Sequence, residues 1–136
     1  MKIVLLILSF YLTIDSYEQK ASFKEIKLAP NPKYYNTKKA TIIFPIVVTK
    51  NAQIDELINS RIEDDMFQLE GEKQSIRNVL DEHINDYGLI NLSYEVTYNN
   101  FGLLSFSIYA EGCGAHCSSW QTHFNFDLVS GEKNNN

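Results

Sequence analysis

The stretch from Phe101 to Lys133 constrains the fold more than any other part of this 136-residue chain. Apolar and polar residues alternate through two runs of it, and a period of two is typical of strands that bury one face. Between the runs lies Cys113-Gly-Ala-His116-Cys117, which holds both cysteines and one of the three histidines. The stretch therefore predicts an antiparallel hairpin with a chemically distinctive loop.

A third alternating run precedes this hairpin, so a three-stranded meander is expected. The apolar face of the first strand holds Ile90, Leu92, Tyr94, Val96 and Tyr98. The next sequence, Asn99-Asn100-Phe101-Gly102, favours a turn because Asn and Gly tolerate positive φ. The corresponding faces of the other two strands hold Leu104, Phe106 and Ile108, and then Trp120, Thr122, Phe124, Phe126 and Leu128.

From Asn51 the apolar period lengthens to that of a helix. The first set of apolar residues at this spacing is Ile54, Leu57, Ile58, Ile62, Met66 and Leu69, and the second set is Ile76, Val79, Leu80, His83, Ile84 and Tyr87. Asn51 is expected to cap the first helix, Gly71 to interrupt the pattern and Gly88 to end the second helix as its C′ residue. The acidic residues fall mostly outside both sets, as on solvated helix faces.

Two shorter strands are predicted before the helices. Ser22 to Leu28 alternates modestly, and the second strand lies within Tyr34 to Val48. Its first apolar face holds Ile42, Phe44, Ile46 and Val48. Pro45 lacks a backbone donor, so this strand is expected at a sheet edge or at a bulge. The whole pattern predicts an α+β fold, with a helical segment packed on an antiparallel β-meander sheet. A single domain is expected at residues 19–133, with a polar tail at 134–136.

The N-terminus is typical of an export signal. Lys2 is followed by the apolar run Ile3 to Ile14, which is shorter than the ~20 residues of a spanning helix. Residues 1–18 are therefore expected to be a signal peptide, cleaved between Ser16 and Ala21. An uncleaved anchor is the alternative. The expected location is periplasmic or secreted, with membrane contact only through this segment.

Composition argues against nucleic acid as a partner. The chain has 12 basic and 17 acidic residues and a formal charge of −5. Such a protein repels a phosphate backbone, and no basic cluster interleaved with aromatic residues offsets this, so nucleic acid is not expected. No phosphate loop, nucleophile elbow or H-E-x-x-H motif occurs. We expect no cofactor and no complete catalytic constellation.

The cysteine loop allows three interpretations. Two cysteines in an exported chain pair by default, which favours a disulfide between Cys113 and Cys117. The same cysteines with His116 and His123 could instead ligate zinc, although their spacing departs from the usual paired modules. A Cys/His nucleophile pair is the third interpretation, but there is no C-x-x-C and no following helix to lower the pKa of a thiol. The disulfide is the favoured interpretation, with no bound metal.

Three residues around the loop are candidates for ligand binding: His116, Trp120 and Tyr109. Trp120 begins the strand beside the loop, a position that also suits a core or rim residue. Tyrosines are frequent in this chain, and they suit protein or glycan contact without specifying it.

The loop and the end of the chain resemble a known family. The matching stretches are Tyr109-Ala-Glu-Gly-Cys-Gly-Ala-His116 and Phe124-Asn-Phe-Asp-Leu-Val-Ser-Gly131-Glu-Lys133, with weaker similarity at Ile58-Asn-Ser-Arg-Ile62, Leu92-Ser-Tyr-Glu-Val96 and Gly102-Leu-Leu-Ser105. They resemble a bacterial extracytoplasmic domain of unknown function, found in lysozyme-sensing anti-sigma factor ectodomains and beside peptidoglycan deacetylases. The resemblance covers about residues 38–133.

This resemblance implies an envelope-exposed, non-catalytic α+β module that recognises a protein or a cell-wall glycan such as a peptidoglycan fragment. Cys113 replaces a usual glycine and Cys117 is an addition, a pair of departures that fits a disulfide. In the family this stretch is followed by a further strand and helix, so the resemblance implies either a minimal or truncated member or a sheet that is completed by something else. The competing functions are a small secreted hydrolase or thiol enzyme that uses Cys113, His116 and Cys117, and a degraded gene product.

Overall fold

The computed structural model describes residues 19–34 and 39–135, which form two helices and a five-stranded sheet. In chain order the elements are β1 (Ser22–Leu28), β2 (Ile42–Val48), α1 (Ala52–Phe67), α2 (Ile76–Asn85), β3 (Leu89–Asn100), β4 (Leu103–Cys113) and β5 (Cys117–Asp127). The spatial order of the strands is β1-β2-β3-β4-β5. The α+β prediction is confirmed, whereas the predicted signal peptide lies outside the described residues. No helix in the described ranges is long and apolar enough to cross a membrane.

The core is built on the β3–β4–β5 meander. The alternation predicted for β4 is confirmed, since its buried side chains include Leu104, Phe106, Ile108 and Ala110. Phe124 and Phe126 of β5 are fully buried beside them. The ring centroids of Phe106 and Phe124 lie 5.1 Å apart. Burying one such side chain stabilises the fold by roughly 1.5–3 kcal/mol relative to exposing it, so this aromatic stack is a major part of the core.

The turn between β3 and β4 follows from its sequence. Phe101 and Gly102 both have positive φ, of 51° and 73°, which is the geometry of a two-residue hairpin. Earlier in β3, a register shift between Val96 and Tyr98 places Tyr98 opposite Ser105, on the other face of the sheet. The prediction that Tyr98 belongs to the apolar face is therefore wrong. Both Tyr98 and Val96 are exposed.

Both helices begin at capping side chains. The Asn51 carboxamide accepts from the backbone N–H groups of Gln53 and Ile54, as predicted, and Ser75 caps α2 in the same way. The buried residues of the helices are Ile54, Ile58, Ile62, Met66, Phe67, Val79, Leu80 and Ile84.

At the ends of both helices, the burial of residues differs from the apolar sets predicted from the sequence. Leu69 is exposed because α1 ends at Phe67 and Gln68 takes a left-handed φ of 49°, so Phe67 is buried instead. Tyr87 is exposed because α2 ends at Asn85 with Asp86 as its cap. The prediction of Gly88 as the C′ residue is therefore wrong, because Gly88 lies two residues beyond the cap. Leu57 is 56% exposed although it lies within α1.

β2 has a full partner on one side only. It pairs along its length with β1, but with β3 it shares only the parallel pair Ile42–Leu92. N–H groups alternate in direction along a strand, so the nitrogen of Pro45 faces the same side as the N–H of Val47. There the Val47 N–H donates to the Asn59 side chain, and the Asn59 amide donates to the Val47 carbonyl, both at 2.8 Å.

The prediction of a sheet edge or a bulge at Pro45 is wrong, because β2 lies between β1 and β3 and its ladder with β1 has no register shift. On the other side of β2, next to Pro45, the Asn59 side chain takes the place of a strand partner. The predicted face of Ile42, Phe44, Ile46 and Val48 is wrong beyond Pro45. Val47 is buried there in place of its neighbours because α1 packs against this part of β2.

We expect the Asn59→Ala variant to lower the free energy of unfolding by roughly 1–3 kcal/mol, because it leaves two backbone groups of Val47 without their partner. Urea unfolding followed by circular dichroism measures this. The Asn78→Ala variant, at an exposed position of α2, is the matched control. Equal stability of the two variants would contradict the role of Asn59 as a strand substitute.

Candidate functional site

A disulfide between Cys113 and Cys117 closes the loop between β4 and β5. The two residues form the last pair of the β4–β5 ladder. Cys113 is buried, whereas Cys117 and the intervening residues are exposed. The predicted disulfide is present. In this oxidised form neither sulfur is a thiolate, so neither is a nucleophile or a zinc ligand.

The proposed zinc ligands are not brought together. His123 pairs with Ser107 on the ladder, six residues along β5 from Cys117. A strand rises about 3.3 Å per residue, so the two residues are separated by about 20 Å. Within residues 19–34 and 39–135, no group of three or more His, Cys, Asp or Glu side chains is arranged to hold a metal ion.

The buried end of the hairpin is held against the connection between α2 and β3. The Cys113 N–H donates to the Gly88 carbonyl at 2.8 Å. Gly88 has a φ of +72°, and a Cβ atom at this position would lie 2.4 Å from the Cys113 carbonyl oxygen. Only glycine permits both the backbone angle and this approach. The loop is therefore fixed at its base as well as by its disulfide.

The three candidate binding residues do not form one site. Trp120 pairs with the buried Ala110, so its side chain is on the helix side of the sheet, where its ring covers Gly112. Tyr109 is the neighbour of Ala110 and points to the opposite, open face. His116 is exposed at the loop tip. His116 and Trp120 thus share the loop end of the hairpin, and Tyr109 belongs to a different surface.

The open face of the meander is polar. Opposite the helices, Tyr109 is 36% exposed beside Gln121, whose amide donates to the hydroxyl of Ser107 at 3.0 Å. His123 lies on the same face. This surface could form hydrogen bonds with a polar ligand, and none of its residues lines the cavities beside α1, between α1 and α2 or at the end of the chain.

A cavity of about 520 Å³ between the end of α1 and α2 was not expected from the sequence. The His83 ring lies 4.6 Å from the Phe67 ring and 5.0 Å from the Tyr87 ring, centroid to centroid. Glu70, Glu72 and Glu82 are also among its lining residues. Burial lowers the pKa of His83, and the charge of Glu82 partly opposes this. In the sequence, His83 and Tyr87 follow the helical spacing of the apolar set. This spacing predicted that they lie in the core, not in the wall of a cavity.

The end of the chain, which carries much of the family resemblance, has an architectural role. The Asp127 carboxylate accepts from the N–H groups of Val129 and Ser130 and so forms the turn after β5. Lys133 forms an ion pair with Asp65 of α1 and lies over the Phe124 ring. These contacts fasten the end of β5 to the helix layer. Asp127 and Lys133 of the matching stretch therefore have structural roles.

No protein-family model matches the chain, and no curated protein matches it. Among solved structures, it is similar to a member of the DUF3298 family from Bacteroides fragilis, with a TM-score of 0.56 and 16% sequence identity. The similarity covers 87% of this chain and 59% of the Bacteroides chain. At such low identity the likeness shows the fold alone. It agrees with a domain of unknown function, and it does not extend to the anti-sigma factor context.

We expect the Gly88→Ala variant to lose about 2 kcal/mol or more of stability, because alanine is strained at positive φ and its Cβ would clash with the Cys113 carbonyl. Thermal unfolding measures the loss. Gly114→Ala is the control, since a Cβ there meets nothing within 4 Å. A Gly88→Ala protein as stable as this control would show that the base of the loop is not held as described.

The lowered pKa of His83 predicts a loss of stability in acid. The unfolded chain binds the imidazole proton more readily than the folded one, so the contribution of His83 is complete above its ordinary pKa of 6.5 and declines as the pH falls through that value. Urea unfolding from pH 8 to about pH 5 measures the slope. His83→Gln should make this slope smaller, and an unchanged slope in the variant would contradict the burial of His83.

Proposed function

We propose that this chain is an exported, non-catalytic domain of the cell envelope that binds a protein or a cell-wall glycan at the disulfide end of the β4–β5 hairpin. The observation that carries the proposal is the covalently closed, exposed loop at Gly114–His116, with the partly exposed Trp120 beside it.

The disulfide supports the export part of the proposal. Disulfides form and persist in oxidising compartments and are rare in the reducing cytosol. The apolar run at Ile3 to Ile14 supplies a route to such a compartment. The α+β fold shared with a domain of unknown function is compatible with this location but does not specify it.

The geometry of the loop supports the binding part. Its ends are joined by the Cys113–Cys117 bond, and its base is held by the Gly88–Cys113 hydrogen bond, so little conformational entropy remains to be lost when a partner binds. Trp120 is 41% exposed and presents an apolar ring together with an N–H donor. An exposed imidazole at His116 adds a polar contact. A rigid loop of this kind is suited to recognition.

The enzymatic alternative has less support. A hydrolase or thiol enzyme at this loop needs a free thiolate or an oriented base. Both sulfurs are joined to each other, and His116 is exposed at the tip rather than held against a carboxylate in the described part of the chain. We therefore propose binding as the function.

Site-specific photo-crosslinking in the producing cell tests where a protein partner binds. A photoreactive residue at His116 should capture a discrete envelope protein. The same residue at Phe101, which is exposed at the opposite end of the β3–β4–β5 meander, should not. Equal capture at both positions, or capture at Phe101 alone, would place the binding surface elsewhere.

Sedimentation with purified peptidoglycan sacculi tests the glycan possibility. The wild-type chain should sediment with the sacculi, and Trp120→Ala should reduce the bound fraction several-fold. We expect the Cys113→Ala/Cys117→Ala variant to keep the sheet, to lose about 2 kcal/mol of stability and to bind more weakly, because its loop is no longer closed. If neither sacculi nor a crosslinked protein is retained, the recognition role is wrong.

A further inference from the structure

The outer edge of β5 already accepts a short extended segment. Beyond the turn at Gly131, the Asp127 N–H donates to the Glu132 carbonyl, and the Asn134 N–H donates to the Asn125 carbonyl. Phe126 and Lys133 form an antiparallel bridge between these bonds. The odd-numbered residues of β5 therefore direct their backbone groups outward. By the same alternation, the outward groups farther along the strand belong to Ser119, Gln121 and His123.

That remaining edge, residues 117–124, is not paired with another strand in the described ranges. Its sequence, Cys-Ser-Ser-Trp-Gln-Thr-His-Phe, contains no acidic residue, no Lys or Arg and no proline, and its ladder with β4 has no bulge. Edge strands usually carry such features because they prevent pairing with another chain. The opposite edge strand, β1, does carry them, with Lys24, Glu25 and Lys27 within seven residues.

We propose that this edge of β5 pairs with the same edge of a second copy of the chain, forming a weak symmetric dimer with a continuous sheet. An antiparallel pairing of two identical edges satisfies the outward N–H and C=O groups of both copies around a two-fold axis. Residues 117–123 remain clear of the Glu132–Asn134 segment. The register that uses this length places Trp120 opposite Trp120.

The alternation on β5 makes this register chemically favourable. Ser119 and Gln121 of the two copies exchange backbone hydrogen bonds, whereas the two Trp120 residues form a non-hydrogen-bonded pair, in which side chains approach most closely. Both Trp120 rings then lie on the helix side of the joined sheet. Each is 41% exposed in the single copy, so pairing covers apolar surface.

Charge at the edge itself does not oppose a second copy as the occupant. The protein has a formal charge of −5, so two copies repel each other through most surfaces, but residues 117–124 are free of formal charge when the histidine is neutral. Pairing along seven residues buries a smaller area than the roughly 1,200 Å² or more that is buried in stable complexes. The dimer is therefore weak and depends on concentration. It does not depend on the binding role proposed for the loop, because the purified chain alone forms it.

Sedimentation velocity of the protein purified after export tests the dimer, from about 5 μM to about 500 μM, where a weak equilibrium becomes visible. The wild type should shift from monomer to dimer over this range. Ser119→Pro, which removes an outward N–H, and Trp120→Ser should both remain monomeric. Phe101→Ser, which removes an exposed aromatic side chain at the other end of the sheet, should dimerise like the wild type.

Cysteine crosslinking tests the register without relying on a fragile variant. Trp120→Cys should form a covalent dimer on mild oxidation, because equivalent residues face each other, whereas Thr122→Cys, which faces Ser118 of the second copy, should not. A wild type that is monomeric at every concentration overturns the proposal and leaves this edge to an extended segment of another protein. Equal crosslinking of the two cysteine variants overturns the proposed register.

Discussion

The packing of Phe106 is the constraint on which the rest of the structure depends. Its strand, β4, lies between β3 and β5, and its ring contacts Phe124 and Phe126 on the neighbouring strand and Phe23 on β1. A strand that slipped by one residue would turn these rings to solvent and bring serines into the core. The aromatic stack therefore fixes the register of the meander, and the register determines which residues meet at each end of the sheet.

That register gives the two ends of the β3–β4–β5 meander different properties. At one end, Cys113 and Cys117 are opposed in the last pair and are joined by the disulfide, while Gly88 holds the base of the loop. At the other end, a short turn at Phe101–Gly102 closes β3 on β4. The loop end is covalently closed and exposed, so it can present side chains to a partner without first being ordered. The lateral edge of β5 is the surface proposed for pairing with a second copy, and it shares Trp120 with the loop end.

Much of the fold could be predicted from the sequence because its signals are local. The alternation of β4, the Asn51 cap and the pairing of the two cysteines each depend on neighbouring residues, and the structure confirms them. The predictions fail where residues that are distant in the sequence determine which side chains are buried. Val47 is buried because α1 packs against that part of β2, and Asn59 of this helix takes the place of a strand partner for the Val47 backbone. This replacement of a strand by a helix side chain does not change the apolar periodicity of β2, so the sequence pattern could not predict it.

The candidate site was harder to predict for the same reason. His116, Trp120 and Tyr109 are close along the chain, but Tyr109 and Trp120 lie on opposite faces of the sheet. Closeness in sequence could not reveal this without the ladder register between β4 and β5. The central claim is that this loop is oxidised in an exported protein, and intact-mass analysis of the chain from its native host, alkylated without reductant, tests it directly. We expect an N-terminus between Ser16 and Ala21, no alkylation, and a mass lower than that of the reduced form by two hydrogen atoms; two alkylated thiols on a chain that retains Met1 would contradict this.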